Sequence, residues 1–83
     1  MQIRVMALGV FRTVAAEFVV DIRDDACVRD VREALESRLS VESSGMLDTL
    51  ARSAFAQDDM VLKDSDPLIE VDCLSILPPV AGG

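Results

Sequence analysis

The residues with the clearest chemical potential stand together at the C-terminal end of the sequence. Two prolines come first, then two small apolar residues and two glycines: Pro78, Pro79, Val80, Ala81, Gly82 and Gly83. Because glycine lacks a Cβ, a Gly-Gly pair passes through channels that exclude other residues, and the carbonyl carbon of Gly83 is unhindered. We therefore predict that another enzyme activates the α-carboxylate of Gly83 for attack by a nucleophile. The alternative is a frayed chain end without a role, the common state of termini.

The residues leading into this tail indicate how the carboxylate is presented. Residues 74–77 form an apolar run that is typical of a buried strand. Pro78 and Pro79 lack the backbone N–H that a sheet needs, so the chain should leave the sheet there as a stiff, extended segment. Six extended residues reach about 20 Å, far enough to enter the active site of a partner. We expect a domain at residues 1–77 and a flexible Gly-Gly tail at residues 78–83.

The residue types that are missing limit what the chain can do by itself. The sequence has no histidine, and its two cysteines, Cys27 and Cys73, lie far apart. The commonest general base and metal ligand are therefore missing, and no zinc site of ordinary ligand count can form. We expect Cys73 to be a small buried hydrophobe in a strand and Cys27 to have no chemical role. The sequence thus predicts no metal site in this chain and no histidine that could act as a general base.

Length and composition favour one small folded domain. The 83 residues are 51% hydrophobic, which supports a single core and argues against disorder. The net charge of −7 disfavours nucleic acid and anionic membranes as partners, since both require a basic surface. No apolar run approaches the length of a membrane span, and the first residues do not resemble a signal peptide. We therefore expect a cytoplasmic protein.

Acidic residues are concentrated just before the tail, where only Lys63 opposes them. They are Asp58, Asp59, Asp64, Asp66, Glu70 and Asp72. One interpretation is a solvated acidic surface that keeps a small protein soluble. The other is that residues 58–72 form a docking face for a basic partner, because complementary charge speeds encounter.

Apolar periodicity predicts the elements that hold the tail. Residues 2–9 and 14–22 contain alternating apolar and polar side chains, which predict the two strands of an N-terminal hairpin. The next segment has one apolar stripe at helical spacing, formed by Val28, Val31, Leu35 and Leu39.

The ends and the outer face of this helix allow further expectations. Its cap is either Cys27, where serine or threonine is usual, or Asp25. Arg32 and Glu36 on the outer face can pair at i, i+4.

The remaining segments complete a small sheet. They are a short helix near residues 46–50, short strands at 53–56 and 60–62, a turn at 64–67 and a final strand at 72–77. The order is strand, strand, helix, then strands, and it makes the first and last strands natural neighbours. We predict an α+β protein with the β-grasp fold, in which one main helix packs on one face of a mixed sheet.

Three stretches carry a resemblance to a known family. The tail has the form PPV-x-GG, residues 25–39 are similar to a helix opening TV-x-x-L, and Asp66-Pro67-Leu68 is a turn before the last strand. In these features the chain resembles the small subunit of molybdopterin synthase, a ubiquitin-like sulfur carrier of the MoaD/ThiS family. The resemblance covers essentially the whole chain.

The resemblance implies a reaction and a set of partners. An ATP-dependent activating enzyme, an E1-like adenylyltransferase, would adenylate the carboxylate of Gly83, and a sulfur donor would convert it to a thiocarboxylate. The large catalytic subunit of the synthase, assembled with this chain in a heterotetramer, would accept the tail and pass the sulfur to a pterin precursor. The partners would supply the acid–base groups, the activating enzyme would bind ATP and any zinc, and this chain would have no cofactor and no catalytic side chain of its own. Leu8, Met60 and Leu77 would form the docking surface, although ordinary core packing is the other interpretation of these three residues.

Other functions share the same tail chemistry. Carriers for thiamin thiazole or cysteine synthesis also end in Gly-Gly, but the Pro-Pro-Val before it favours the pterin pathway. A ubiquitin-like modifier would instead form isopeptide bonds through Gly83. In a purely structural domain the tail would be passive.

Overall fold

Five strands and two α-helices make up residues 1–79, the part of the chain that the computed structural model describes. In chain order they are β1 (Gln2–Ala7), β2 (Glu17–Asp21), α1 (Val28–Glu42), α2 (Leu47–Ala51), β3 (Ala54–Gln57), β4 (Met60–Leu62) and β5 (Cys73–Leu77). Two short 3₁₀ helices, Gly9–Thr13 and Ser44–Met46, follow β1 and precede α2. The predicted order of strands and helices along the chain is confirmed, and the elements differ from the prediction by up to three residues at their ends.

The sheet is mixed, and β5 lies at its centre. The strand order is β2-β1-β5-β3-β4. β1 and β5 pair in parallel, whereas β1–β2, β3–β5 and β3–β4 are antiparallel. Because the first and last strands are neighbours and one main helix covers one face, this is the arrangement of the β-grasp fold.

Alternating side chains along the strands separate the two faces of the sheet. In β1, Ile3, Val5 and Ala7 are buried whereas the residues between them are exposed. Phe18 and Val20 of β2 and Leu74 and Ile76 of β5 are buried on the same side. The predicted hairpin and its inward face are therefore confirmed, and the connection between the two strands is the 3₁₀ helix Gly9–Thr13.

The predicted apolar stripe of α1 forms the other half of the core. Val28, Val31, Leu35 and Leu39 are all 0% exposed. They pack with the inward residues of the sheet into one cluster. Since burial of apolar surface is the main favourable term in folding, this single two-layer core positions everything else.

The N-terminus of α1 is capped at Cys27, so the alternative at Asp25 is wrong. The carboxylate of Asp30 accepts a hydrogen bond of 2.9 Å from the backbone N–H of Cys27. A carboxylate at this position satisfies an N–H group that has no partner within the helix. That hydrogen bond holds the pKa of Asp30 below its ordinary value of 3.8.

None of the helices in residues 1–79 has the length and apolar character needed to cross a membrane.

Candidate functional site

The central strand positions the base of the tail. β5 ends at Leu77, between β1 on one side and β3 on the other, and the next residues are Pro78 and Pro79. Both prolines are half-buried, so the tail begins against the body of the domain. The four remaining residues of the predicted tail, including Gly83 as the predicted reactive residue, lie outside the described residues.

Gly9 lies beside the start of the tail. Its φ is +57°, in the left-handed region that favours glycine. A Cβ built on Gly9 would lie 2.8 Å from Cγ of Pro78, which is closer than two carbon atoms can approach. This contact could not be predicted from the sequence, because it depends on strand pairing between distant segments.

The face of the sheet opposite α1 is open and partly apolar. β5 presents Ser75 and Leu77 there, because Leu74 and Ile76 point into the core. The strand register then aligns Met6, Ser75, Ala56 and Val61 across four strands. Met6 is 38% exposed and Val61 is 60% exposed, so this row presents apolar surface to solvent.

Two of the three predicted docking residues lie together on this open face. Ala7 pairs with Ile76 in the parallel register of β1 and β5, and Leu8 continues from Ala7 in extended conformation. One further step of the register places Leu8 opposite Leu77. Leu8 is 39% exposed and Leu77 is half-buried, so both have accessible surface next to the base of the tail.

Met60, the third predicted docking residue, lies on the other side of its strand. Leu62 packs against the core, and alternate residues of a strand share a face, so Met60 is on the helix side of the sheet. The neighbouring Val61 pairs with Ala56 and is on the open face. The structure therefore brings Leu8 and Leu77 together but does not bring Met60 to them. Val61 was not among the predicted docking residues, although alternation along β4 places it on the face opposite to Leu62.

The expectation that Cys73 is buried is wrong. Cys73 is exposed, whereas Leu74 next to it is buried. β5 is central within the sheet, but helix α1 covers only one of the two faces, so alternate residues of β5 reach the open face. Cys27, in contrast, is partly buried at the cap of α1.

The acidic stretch divides into structural and exposed carboxylates. Asp64 is held by Arg32, and the side chain of Asp66 accepts a hydrogen bond of 2.8 Å from the backbone N–H of Lys63. The exposed members are Asp58, Asp59, Glu70 and Asp72. A role for these four in meeting a basic partner stays a prediction.

Arg32 ties α1 to three other parts of the domain, in place of the expected pair with Glu36. Its Nε and Nη2 donate to the two carboxylate oxygens of Asp64 at 3.0 and 2.8 Å. Nη1 donates to the carbonyl oxygen of Leu50 at 2.6 Å, and the guanidinium lies 5.0 Å from the centre of the Phe55 ring. Arginine suits this position because its planar group can donate to a carboxylate at two atoms and stack on a ring at once.

We expect unfolding in acid to depend on Asp64. Hydrogen bonds from Arg32 hold the pKa of Asp64 below its ordinary value of 3.8, against an opposing effect of burial. A carboxyl whose pKa is lower in the folded chain stabilises it fully above about pH 4, and this is lost as the pH falls through the folded-state pKa. Asp64→Asn should therefore lower the urea midpoint at about pH 7, and this deficit should become smaller at about pH 3.

The exposed Asp59, in the same acidic stretch, provides the control for this measurement. Asp59→Asn should leave the urea midpoint close to that of wild type at both pH values. A deficit of Asp64→Asn that is equally large in acid would show that the ionised carboxylate is not what stabilises the fold.

Comparisons with known proteins identify the family and the fold of this chain. The sequence model of the ThiS family matches residues 5–83. A comparison with curated protein sequences found no match. Among solved structures, SAMP1 from Haloferax volcanii is 23% identical with a TM-score of 0.70, and each chain is covered in full (100%). A chain in the complex of subunits 1 and 2 of molybdopterin-converting factor from Helicobacter pylori is 27% identical with a TM-score of 0.58, again over 100% of both chains. The ubiquitin-like β-grasp fold is therefore confirmed.

Proposed function

Since this chain belongs to the ThiS family of ubiquitin-like sulfur carriers, we propose that it is the sulfur-carrying small subunit of a molybdopterin synthase. The observation that carries the proposal is the course of the chain at the end of β5, where the central strand runs directly into Pro78-Pro79 and the Gly-Gly sequence. The similarity to a chain in the complex of molybdopterin-converting factor subunits supports this pathway among those that use sulfur carriers.

The proposed chemistry takes place on the carboxyl group of Gly83. A carboxylate oxygen attacks the α-phosphorus of ATP, the bond between the α- and β-phosphates breaks, and pyrophosphate leaves. A sulfur nucleophile at the oxidation level of sulfide then attacks the acyl carbon, and AMP leaves with the original oxygen. The product is a thiocarboxylate, in which one sulfur atom replaces one oxygen atom. In the active site of the large subunit, this sulfur displaces an oxygen substituent from a carbon of the pterin precursor. Water then cleaves the bond between the acyl carbon and the sulfur, which returns the carboxylate of Gly83 and leaves the sulfur on the precursor.

The work of binding and proton transfer is divided between this chain and its partners. The sequence has no histidine, and we propose that the activating enzyme and the large subunit supply the acid–base groups and bind ATP. This chain supplies a stable body, a docking face and a narrow arm. The two glycines suit that role because they let the reactive carbon pass through a channel too narrow for side chains.

We propose that the open face around Leu8 and Leu77 docks on the large subunit. Both residues lie beside the base of the tail, so a partner that holds them also holds the start of the arm. The exposed row that includes Met6 and Val61 continues the apolar surface across the sheet. Partly apolar surface of this kind marks interaction sites on small proteins.

A pair of neighbouring residues tests which side of β4 the partner contacts. Val61 and Met60 are 60% and 67% exposed, but they lie on opposite faces. We expect Val61→Asp to weaken binding to the large subunit by about 10- to 100-fold, because it places a charge in a desolvated apolar contact. Met60→Asp should change the dissociation constant, measured by isothermal titration calorimetry, by less than about threefold. Equal losses, or a larger loss for Met60→Asp, would contradict docking through the open face.

Co-expression with the large subunit tests the proposed function as a whole. The two chains should co-purify, and after loading by the activating enzyme with ATP and a sulfide source, sulfur should move from this chain to the pterin precursor. Formation of the dithiolene product is the measurement, and carrier left unloaded is the control. Loaded carrier that binds the large subunit but transfers no sulfur to the precursor would contradict the pathway. Isopeptide bonds between the carboxyl group of Gly83 and lysine side chains of other proteins would instead identify a modifier.

A further inference from the structure

Gly9 and Pro78 meet at the point where the chain leaves the sheet. Ala7 and Ile76 are partners in the parallel pairing of β1 and β5, and Gly9 and Pro78 each follow two residues later. The hydrogen of Gly9 on this side is needed, because a Cβ in its place would lie 2.8 Å from Cγ of Pro78. This approach places the backbone of one strand end directly against the first ring of the tail.

Of the two sides of this contact, Gly9 is held more firmly than Pro78. The ring of Pro78 allows its Cγ only the small movement of ring pucker, so a larger displacement must move the backbone of Pro78 as well. On the other side, Gly9 begins a 3₁₀ helix that is anchored in the core by Phe11, which is 0% exposed. The backbone N–H of Phe11 also donates to the carbonyl oxygen of Leu8 at 3.2 Å. Gly9 thus forms a fixed wall against which the tail begins.

We propose that Gly9 is a positioning residue for sulfur loading, because it leaves room for the Pro78 ring and thereby sets the direction in which the tail leaves the body. This inference rests on the proposed carrier function. A side chain at position 9 displaces Pro78 and turns the arm, so the reactive carboxyl group misses the partner's active site although the docking face is intact. Small errors in position are costly in catalysis, since a misplacement of about 1 Å can reduce a rate by about 100-fold.

Position 9 favours glycine for two reasons, the close approach of Pro78 and the positive φ, and an experiment must separate them. The φ of +57° alone disfavours residues with a side chain. The two causes respond differently to Pro78→Ala. Alanine keeps only a Cβ, which lies 3.9 Å from the Cβ position of residue 9, an ordinary contact. The double variant Gly9→Ala/Pro78→Ala therefore relieves the clash and keeps the backbone strain.

The kinetic experiment measures adenylation of the carrier by its activating enzyme, with the carrier as the varied substrate. Gly9→Ala should lower kcat by roughly 10- to 100-fold and leave KM close to that of wild type, since the body still docks. A variant that is merely unfolded in part would instead raise the apparent KM and leave kcat unchanged. The double variant should recover most of the kcat of Pro78→Ala alone. Wild-type kcat for Gly9→Ala would overturn the proposal.

Gly45 provides the matched control. It is an exposed glycine in the 3₁₀ helix Ser44–Met46, and nothing lies within 4 Å of a Cβ built on it. Gly45→Ala should be adenylated with the kcat and KM of wild type. A loss of kcat in this variant equal to that of Gly9→Ala would overturn the role of the Pro78 contact.

An NMR measurement on this protein alone tests whether Gly9 sets the position of Pro78. Wild type should show nuclear Overhauser contacts between the Gly9 α-protons and the Pro78 ring. Gly9→Ala should shift the residual dipolar couplings of the Leu77 amide and of the Cα–Hα bond of residue 78, and the double variant should return them toward the values of Pro78→Ala. Couplings that do not change in Gly9→Ala would overturn the inference. If the couplings shift as expected but the activating enzyme loads no variant, wild type included, the carrier proposal fails and the positional inference stands.

Discussion

Removal of Gly82 and Gly83 is expected to abolish sulfur transfer and to leave the thermal unfolding midpoint unchanged. The deletion shortens the arm by about 7 Å, at roughly 3.3–3.6 Å for each extended residue. Because an error of about 1 Å can already cost about 100-fold, transfer should fall at least that far. The core described by the structure runs from Ile3 to Ile76, so its packing does not involve the deleted residues. The measurements are dithiolene formation by the reconstituted synthase and circular dichroism during heating.

A second tail variant separates the length of the arm from its width. Gly82→Ala/Gly83→Ala keeps the reach but adds two methyl groups, so it should bind the large subunit like wild type and transfer sulfur poorly. Transfer by this variant at the wild-type rate would show that the arm needs length alone. A large loss of thermal stability in the deletion variant would contradict the division into a domain at residues 1–77 and a tail at residues 78–83.

Truncation of Leu35 is expected to have the largest effect on stability. Its side chain is 0% exposed and lies in the middle of the apolar stripe of α1, so Leu35→Ala removes buried methyl groups and leaves a cavity. Such changes cost about 2–5 kcal/mol. The free energy of unfolding from urea titration is the measurement. For a domain of this size the loss is a large part of the total stability.

Val41 on the same helix provides the control for Leu35. It is also an aliphatic residue, but its side chain is 86% exposed. Val41→Ala should change the free energy of unfolding by less than about 0.5 kcal/mol, as is usual for surface positions. Similar costs for the two variants would mean that the helix does not pack on the sheet through the predicted stripe.

Side-chain periodicity explains why much of the fold could be predicted. The stripe of α1 and the alternation of β1 each require one buried face, and burial of that face is the largest favourable term available to a chain of this size. The short helix after α1 was also predicted from its few apolar residues and is confirmed as α2. These features depend on neighbours in the sequence, so they can be recognised without knowledge of the tertiary structure.

The predictions that proved wrong concern the face of the sheet that the helix covers and the contacts between residues distant in the sequence. Cys73 was expected to be buried because it lies in an apolar strand at the sheet centre, but the face it reaches has no helix on it within residues 1–79. Arg32 was expected to pair along its helix with Glu36, but it reaches Asp64, which is more than thirty positions away in the sequence. A charge pattern within one helix cannot reveal a partner that only the tertiary fold brings near.

The sequence indicates a chemistry for the candidate site, and that chemistry stays a prediction, but the sequence does not reveal the contacts that position the site. The Gly-Gly tail can be recognised in the sequence, because two glycines at the C-terminal end of the sequence indicate an unhindered carboxyl group whatever the tertiary structure. The contact of Gly9 with Pro78 depends instead on the parallel pairing of β1 with β5. Likewise, the register between β3 and β4 determines that Val61, and not the predicted Met60, lies on the open face.

The most direct test of a thiocarboxylate at Gly83 is the intact mass of the protein purified from cells that are making the molybdenum cofactor. We predict a fraction of the protein whose mass is increased by the exchange of one oxygen atom for one sulfur atom, with the change localised to the C-terminal peptide. Protein with an unmodified carboxyl group only, or protein joined through Gly83 to lysine side chains, would contradict the account.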